Sequence, residues 1–241
     1  MRPLSPSTLL EVWEREESQT PVRRALSLLA AAEPETPTPR LAELPVGRRD
    51  ARLLTLREWT FGPRVTAVAE CSGCGQVLEL EFEIEQVRAG DPPVSSPGVV
   101  TIGDWTVTFR APNSLDLEAA TQTADVRLGR DQLLRRCIVS IRRGGEEVEE
   151  LPEDVLETLG QHMAELDAQA NVRLDVSCPG CGRHWTPRFD ILSYFWTEIR
   201  AWAARILAEV HELASAYGWS ERTILAMSAE RRRRYLELVR R

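Results

Sequence analysis

Cys71-Ser-Gly-Cys74-Gly and Cys178-Pro-Gly-Cys181-Gly are two copies of one pattern. Each follows a short β-prone run and leads into another. Val65 to Ala69 precedes the first, and Val77-Leu-Glu-Leu-Glu-Phe-Glu-Ile84 follows it. Val172 to Val176 precedes the second, and the Trp185 to Ile191 segment follows. Strand, Cys-x-x-Cys, turn, strand is the local geometry of a zinc knuckle. Two intervening residues let both sulfurs face one ion, and the following glycine turns the backbone beneath it. Two such halves complete a tetrahedral site, so Cys71, Cys74, Cys178 and Cys181 are the expected ligands of a structural Zn²⁺. Four thiolates leave no coordination position for water or substrate, so the expected ion stabilises structure and does no chemistry.

His184 lies three residues beyond Cys181 and is an alternative ligand; its plainer reading is a strand residue near the site. A thioredoxin-like redox pair fits less well, because neither motif opens a helix, and such sites use a helix N-terminus to lower the thiol pKa. Cys137, in Leu133-Leu-Arg-Arg-Cys-Ile-Val139, has no partner in its own segment and reads as a small core residue.

The chain of 241 residues is 43% hydrophobic, enough for one sizeable domain or two small ones. It has no apolar run near the ~20 residues of a membrane span, and Met1-Arg-Pro-Leu-Ser-Pro lacks the core of a signal peptide. The expected compartment is cytoplasmic, where paired Cys-x-x-Cys motifs hold metal more often than they form disulfides. A net charge of −7 disfavours general affinity for nucleic acid. All basic side chains are arginine. Arg231 to Arg234 form a run, read first as a solvated helix face and second as a docking site for an acidic partner. Phosphate binding ranks last, since no aromatic stacking motif accompanies it.

Helix signals frame the rest. Helices are expected over Ser7 to Glu16, from Pro21, from Arg48 to Trp59, from Leu115 to Ala120, from Glu153 to Gln169 and from Leu192 to Tyr217, with two short ones after Ser220 and Ser228. Strands are expected over Asp104 to Arg110 and Cys137 to Arg142, with a helical turn over Gln132 to Arg136. Glu33 to Pro39 reads as a linker, and Ala89 to Gly98 as a loop. The two knuckles lie about a hundred residues apart, a separation at which closing the loop carries a large entropic cost that a metal tie offsets. The expected fold is α+β: a zinc ribbon-like β element formed by two distant knuckles, an α/β insertion, and a helical C-terminal region. The expected segments are an N-terminal helical region (1–60), the first knuckle half (61–87), the insertion (88–170), the second half (171–191) and the C-terminal helices (192–241).

Several stretches resemble a known family: Leu44-Pro-Val-Gly-Arg-Arg-Asp-Ala-Arg-Leu-Leu-Thr-Leu-Arg57, Phe61-Gly-Pro-Arg64, and Phe109-Arg-Ala-Pro-Asn-Ser-Leu-Asp-Leu-Glu118. The tail, Ile199 to Val239, adds His211-Glu-Leu-Ala, Tyr217-Gly-Trp-Ser220, Ile224-Leu-Ala-Met-Ser228 and Arg234-Tyr-Leu-Glu-Leu-Val239. Together they resemble the T4-type baseplate protein family of phage-tail and contractile-injection gene clusters, described as a baseplate hub assembly chaperone. The resemblance implies a non-enzymatic protein whose partners are baseplate and hub proteins, as a transient chaperone or as part of the particle. The short helices after Gly218 either pack on this chain's own long helix or dock into a hub subunit. Trp196 and Trp202 fall on different faces of that long helix.

Enzyme signatures are missing from the sequence. It has no Gly-x-Gly-x-x-Gly, P-loop, Gly-x-Ser-x-Gly or His-Glu-x-x-His, and its 3 histidines are scattered. A zinc-ribbon nucleic-acid or transcription-associated protein is the alternative. It wants a basic, aromatic ribbon tip, and the residues between the cysteines are Ser-Gly and Pro-Gly.

Overall fold

Prolines and hydroxyl caps start the helices. The computed structural model describes residues 1–89 and 97–240. Residues 90–96 of the expected Ala89 to Gly98 loop lie outside the described residues. Pro6 opens α1 (Pro6–Glu16), where Ser5 Oγ accepts from the Thr8 amide at 3.2 Å. Pro21 opens α2 (Pro21–Ala32), with Thr20 as its cap. Proline at the first helical position wastes no hydrogen bond, because that amide has no intrahelical acceptor. A hydroxyl cap adds about 1 kcal/mol. The chain divides into two units, and these helices belong to the one built from Met1–Glu35 and Ile191–Arg241.

The spine of this helical unit is α8 (Ile191–Tyr217), 27 residues long. Gly218 stops it with φ +68°, the left-handed conformation at which a side chain is strained. Beyond it come α9 (Glu221–Leu225) and α10 (Ala229–Val239), capped by Ser220 and Ser228. Ala203, Ile206, Val210 and Leu213 of α8 pack with Leu10, Ile224, Leu225 and Leu236. The short terminal helices therefore rest on the chain's own long helix. Trp196 is buried and Trp202 half-buried, as different faces of α8 require. The arginine run is not uniformly solvated. Arg232 falls one turn before Leu236 and is buried with it, donating from Nε to Glu209 Oε2 at 3.1 Å and from Nη1 to the Met227 carbonyl at 2.7 Å.

The second unit spans Thr36–Asp190. The expected Glu33 to Pro39 linker holds no helix or strand over 33–37, and its last two residues instead open α3 (Thr38–Ala42), with Pro39 in the first turn. Next comes α4 (Val46–Phe61), ended by Gly62 at φ +91°. The strands β1 (Arg64–Glu70) and β2 (Val77–Glu83) pair antiparallel around the first knuckle. A four-stranded antiparallel sheet follows: β3 (Gly98–Ile102), β4 (Trp105–Phe109), β5 (Ile138–Arg143) and β6 (Glu146–Glu147), paired in that order. Between β4 and β5 lie α5 (Ser114–Ala120) and α6 (Val126–Cys137). After the sheet, α7 (Glu153–Leu166) lays Leu156, Leu159 and Met163 against Val107, Phe109 and Ile141. Cys137 is fully buried in that core, as its segment suggested. Finally β7 (Val176–Ser177) and β8 (His184–Trp185) flank the second knuckle. The chain is thus a mixture of helices and small antiparallel sheets.

Candidate metal centre

Each Cys-x-x-Cys sits at the tip of a hairpin and folds by the same local bonds. The Cys71 amide donates to the Gln76 carbonyl at 2.9 Å, and the Gly75 amide to the Cys71 carbonyl at 2.8 Å. In the second knuckle the Cys178 amide donates to the Arg183 carbonyl at 2.8 Å, and Gly182 to the Cys178 carbonyl at 2.9 Å. Gly75 and Gly182 adopt φ of 72° and 73°. These are the turns that the glycine after each second cysteine permits.

The two tips meet in a near-reciprocal way. A Cβ on Gly73 would stand 2.9 Å from Arg183 Cδ, and one on Gly180 would stand 2.2 Å from Gln76 Oε1. Gln76 and Arg183 hold the same place in their motifs, two residues after the second cysteine, so each knuckle lays that side chain on the other's inner glycine. Behind the tips, Leu78 and Leu80 pack with Leu174, Val176 and Trp185. Phe82 meets Phe189 edge-on, with centroids 5.3 Å apart.

The result brings Cys71, Cys74, Cys178 and Cys181 together, with all four sulfurs within 4.8 Å of one another. Two close separations cross between the knuckles: Cys71 Sγ to Cys181 Sγ is 3.7 Å and Cys74 Sγ to Cys178 Sγ is 3.6 Å. A disulfide needs about 2.05 Å. A tetrahedral ion with metal–sulfur bonds of ~2.3 Å needs sulfurs ~3.8 Å apart. The donor set and its span fit such an ion. Cys71 and Cys178 are buried, and Cys74 and Cys181 are exposed. The Gly73 amide reaches Cys71 Sγ at 3.4 Å and is the chief reason that its thiol is lowered to about 6. At Cys74 the Gln76 amide favours the thiolate, but the sulfurs of Cys178 and Cys181, with burial, push the thiol up to about 12. A cation entering the cluster must therefore displace protons. His184 is apart from this cluster, its Nδ1 2.8 Å from Ser177 Oγ.

A second polar centre in this unit is built on the Asn113-Ser-Leu-Asp116 capping box, a local signal at the start of α5. Asp116 is buried and serves three purposes at the start of α5. Arg110 donates to it from Nη1 and Nη2, at 2.5 and 3.0 Å, and Arg136 Nε donates at 3.1 Å. The Asn113 amide also donates to it, while Asn113 Oδ1 accepts from the Asp116 amide, each at 3.1 Å. Burial opposes ionisation of Asp116, but Arg110, the Asn113 amide and Arg136 prevail and hold its pKa below the usual carboxylate value. The adjacent turn joins α4: the Val46 amide donates to the Pro112 carbonyl at 2.9 Å, and Arg49 Nη1 donates to Ser114 Oγ at 3.4 Å. Arg49 is buried with Asp50, which accepts from its Nε at 2.8 Å. Pro45 offers α4 no side-chain cap, and the missing acceptor comes from Asp167, whose Oδ2 takes the Gly47 amide at 2.8 Å. Leu44 to Arg57 and Phe109 to Glu118, quoted above as separate motifs, thus meet in one buried network.

A family model described as T4 bacteriophage base plate protein matches residues 34–196. The match takes in the whole of the Thr36–Asp190 unit, both cysteine pairs and this network. The tail motifs from Ile199 to Val239 lie beyond it. No curated protein and no solved structure matches the chain.

Proposed function

We propose, from the premise that this chain belongs to the T4 bacteriophage base plate protein family, that it is a non-enzymatic assembly factor or structural component of a contractile, phage-tail-like base plate. Its partners are base-plate and hub proteins. The observation that carries this reading is the family match across the entire Thr36–Asp190 unit. Nothing in the reading requires a membrane, and no helix among the described residues is long and apolar enough to cross one.

The proposal includes a structural Zn²⁺ held by Cys71, Cys74, Cys178 and Cys181, completing a ribbon-like element from the β1–β2 and β7–β8 hairpins. Four sulfurs fill a tetrahedral ion, so its contribution is a crosslink and not catalysis. The residues around it support that role: Gly73 and Gly180 admit the opposite knuckle, and the Gly73 amide stabilises negative charge on Cys71. On this reading the segment 88–170, which carries the four-stranded sheet and α5 to α7, is an insertion tied at both ends.

The test is a tagged chain recovered from cells producing the tail-like particle, treated with nuclease and read by mass spectrometry. Tube, hub or base-plate proteins that survive nuclease are the expected result. Nucleic acid or polymerase subunits in their place would make this a zinc-ribbon binding module and overturn the proposal. Comparing finished particles with the soluble pool then separates a component from a chaperone.

A further inference from the structure

Two stripes run along α10, and one of them is only partly used within the helical unit. At about 100° per residue, Arg232, Leu236 and Val239 share one stripe, and Arg231, Tyr235 and Leu238 share the next. The first packs on α8. In the second, Tyr235 is half-buried against that core, while Arg231 and Leu238 are exposed. Leu238 is 55% exposed, and with Ser228, Glu230, Arg231, Arg234 and Tyr235 it lines a depression of about 400 Å³.

A single exposed leucine is ordinary on a protein surface. This one stands beside a prearranged aromatic group. Tyr217 stacks on Trp219 with centroids 4.5 Å apart and rings 17° from parallel, and Tyr235 meets them edge-on at 5.7 and 4.8 Å. Tyr217 remains 39% exposed. Tyrosine, tryptophan and arginine dominate binding hot spots, and the two aromatics bury a large area while freezing few rotors.

The charge on this face is unbalanced. Arg233 and Arg234 share Glu230, at 2.7 and 3.1 Å. Arg231 has no carboxylate partner among the described residues, and its guanidinium lies 5.8 Å from the Tyr235 ring centroid. Two cations, Arg231 and Arg234, thus line the depression beside one anion, Glu230, on a chain whose net charge is −7. The complementary surface is acidic, and the apolar centre between the arginines wants an aliphatic side chain.

We propose that Tyr217, Trp219, Arg231, Arg234, Tyr235 and Leu238 form a docking surface for an acidic segment of a protein partner. An aliphatic side chain of that segment seats against Tyr235 and Leu238, and its carboxylates meet Arg231 and Arg234. The surface lies beyond residue 196, outside the family match, and stands or falls apart from the base-plate reading.

The test uses the full chain and a fluorescein-labelled twelve-residue peptide of alternating glutamate and leucine, followed by anisotropy. A lysine–leucine peptide and a single-stranded oligonucleotide are the controls. The glutamate peptide binds, and added salt weakens it. Arg231→Glu with Arg234→Glu weakens it at least about tenfold, as does Leu238→Asp on its own. Both variants melt within about 2 °C of wild type, because the side chains are exposed and the Arg234–Glu230 pair is a surface one. The proposal is overturned if the glutamate peptide fails to bind, if the lysine peptide binds as well, if the oligonucleotide binds more tightly, or if the variants bind like wild type.

Discussion

Cys74→Ser removes one of four sulfurs from the knuckle cluster and leaves the rest of the chain untouched. Cys74 is exposed, so losing its sulfur opens no cavity, and the change in stability reports the metal tie. Cys74 and Cys178 are 104 residues apart. Crosslinking a loop of about 100 residues removes about 4.7 kcal/mol of entropy from the unfolded chain. A Cys-x-x-Cys pair that still grips the ion in the unfolded chain lowers the benefit, so the expected loss is about 3–5 kcal/mol. That is a large part of the 5–15 kcal/mol that holds a typical domain folded. At about 2–4 °C per kcal/mol for a chain of this size, the melting temperature falls by about 6–20 °C. The assay is calorimetry on wild type, wild type with chelator and Cys74→Ser, with metal content measured on each. Chelated wild type and the variant melt together, and chelator has no effect on the variant. Wild type that holds no metal, or a variant that melts within about 2 °C of wild type, refutes the reasoning.

Other expectations concern the buried polar network. Asp116→Ala strands Arg110 and Arg136 and removes half of the α5 capping box, and costs about 2–4 kcal/mol in denaturant titration after allowing for the partial exposure of both arginines. Because its pKa is depressed, the contribution of Asp116 is present above the ordinary carboxylate value of ~3.9 and fades as pH falls through the folded value, so the penalty shrinks in acid. Asp167 has the opposite sign. Burial raises its pKa, so its contribution is complete below about pH 4 and is lost as pH rises through the folded value. The melting temperature of Asp167→Asn relative to wild type therefore climbs between pH 4 and 7, and a constant difference counts against this assignment. Gly47→Ala would put a Cβ 1.8 Å from Asp167 Oδ1 and 3.0 Å from the Ala170 backbone nitrogen. It costs about 1–3 kcal/mol by overpacking, visible as a lower denaturant midpoint.

Local chemistry made much of this fold legible. Ser5-Pro6 and Thr20-Pro21 announce α1 and α2, and Gly62 and Gly218 announce two helix ends. Asp104 to Arg110 alternates visibly because one face of β4 meets α7. The missed pieces lacked such signals or hid them. β3 follows a Pro- and Gly-rich stretch, and β6 is two residues long. Their turns were nonetheless written in Gly103 and in Gly144-Gly145, which take positive φ in tight hairpin turns. α6 begins six residues before the expected helical turn at Gln132. Asp125 caps it, but its first turns bury little, with Val126 and Leu128 exposed, so no apolar period marks them. The four cysteines carried their own grouping in their spacing. The Gly47–Asp167 and Arg49–Ser114 contacts did not, because partners 120 and 65 residues apart leave no periodic trace.

The central claim is that this chain helps to build a base plate. Its most direct test is to delete the gene in cells that make the tail-like particle, restore it in trans, and count complete particles by negative-stain electron microscopy. The account predicts that complete base plates disappear on deletion and return with the wild-type chain. Intact particles with normal base plates in the deletion strain would contradict it.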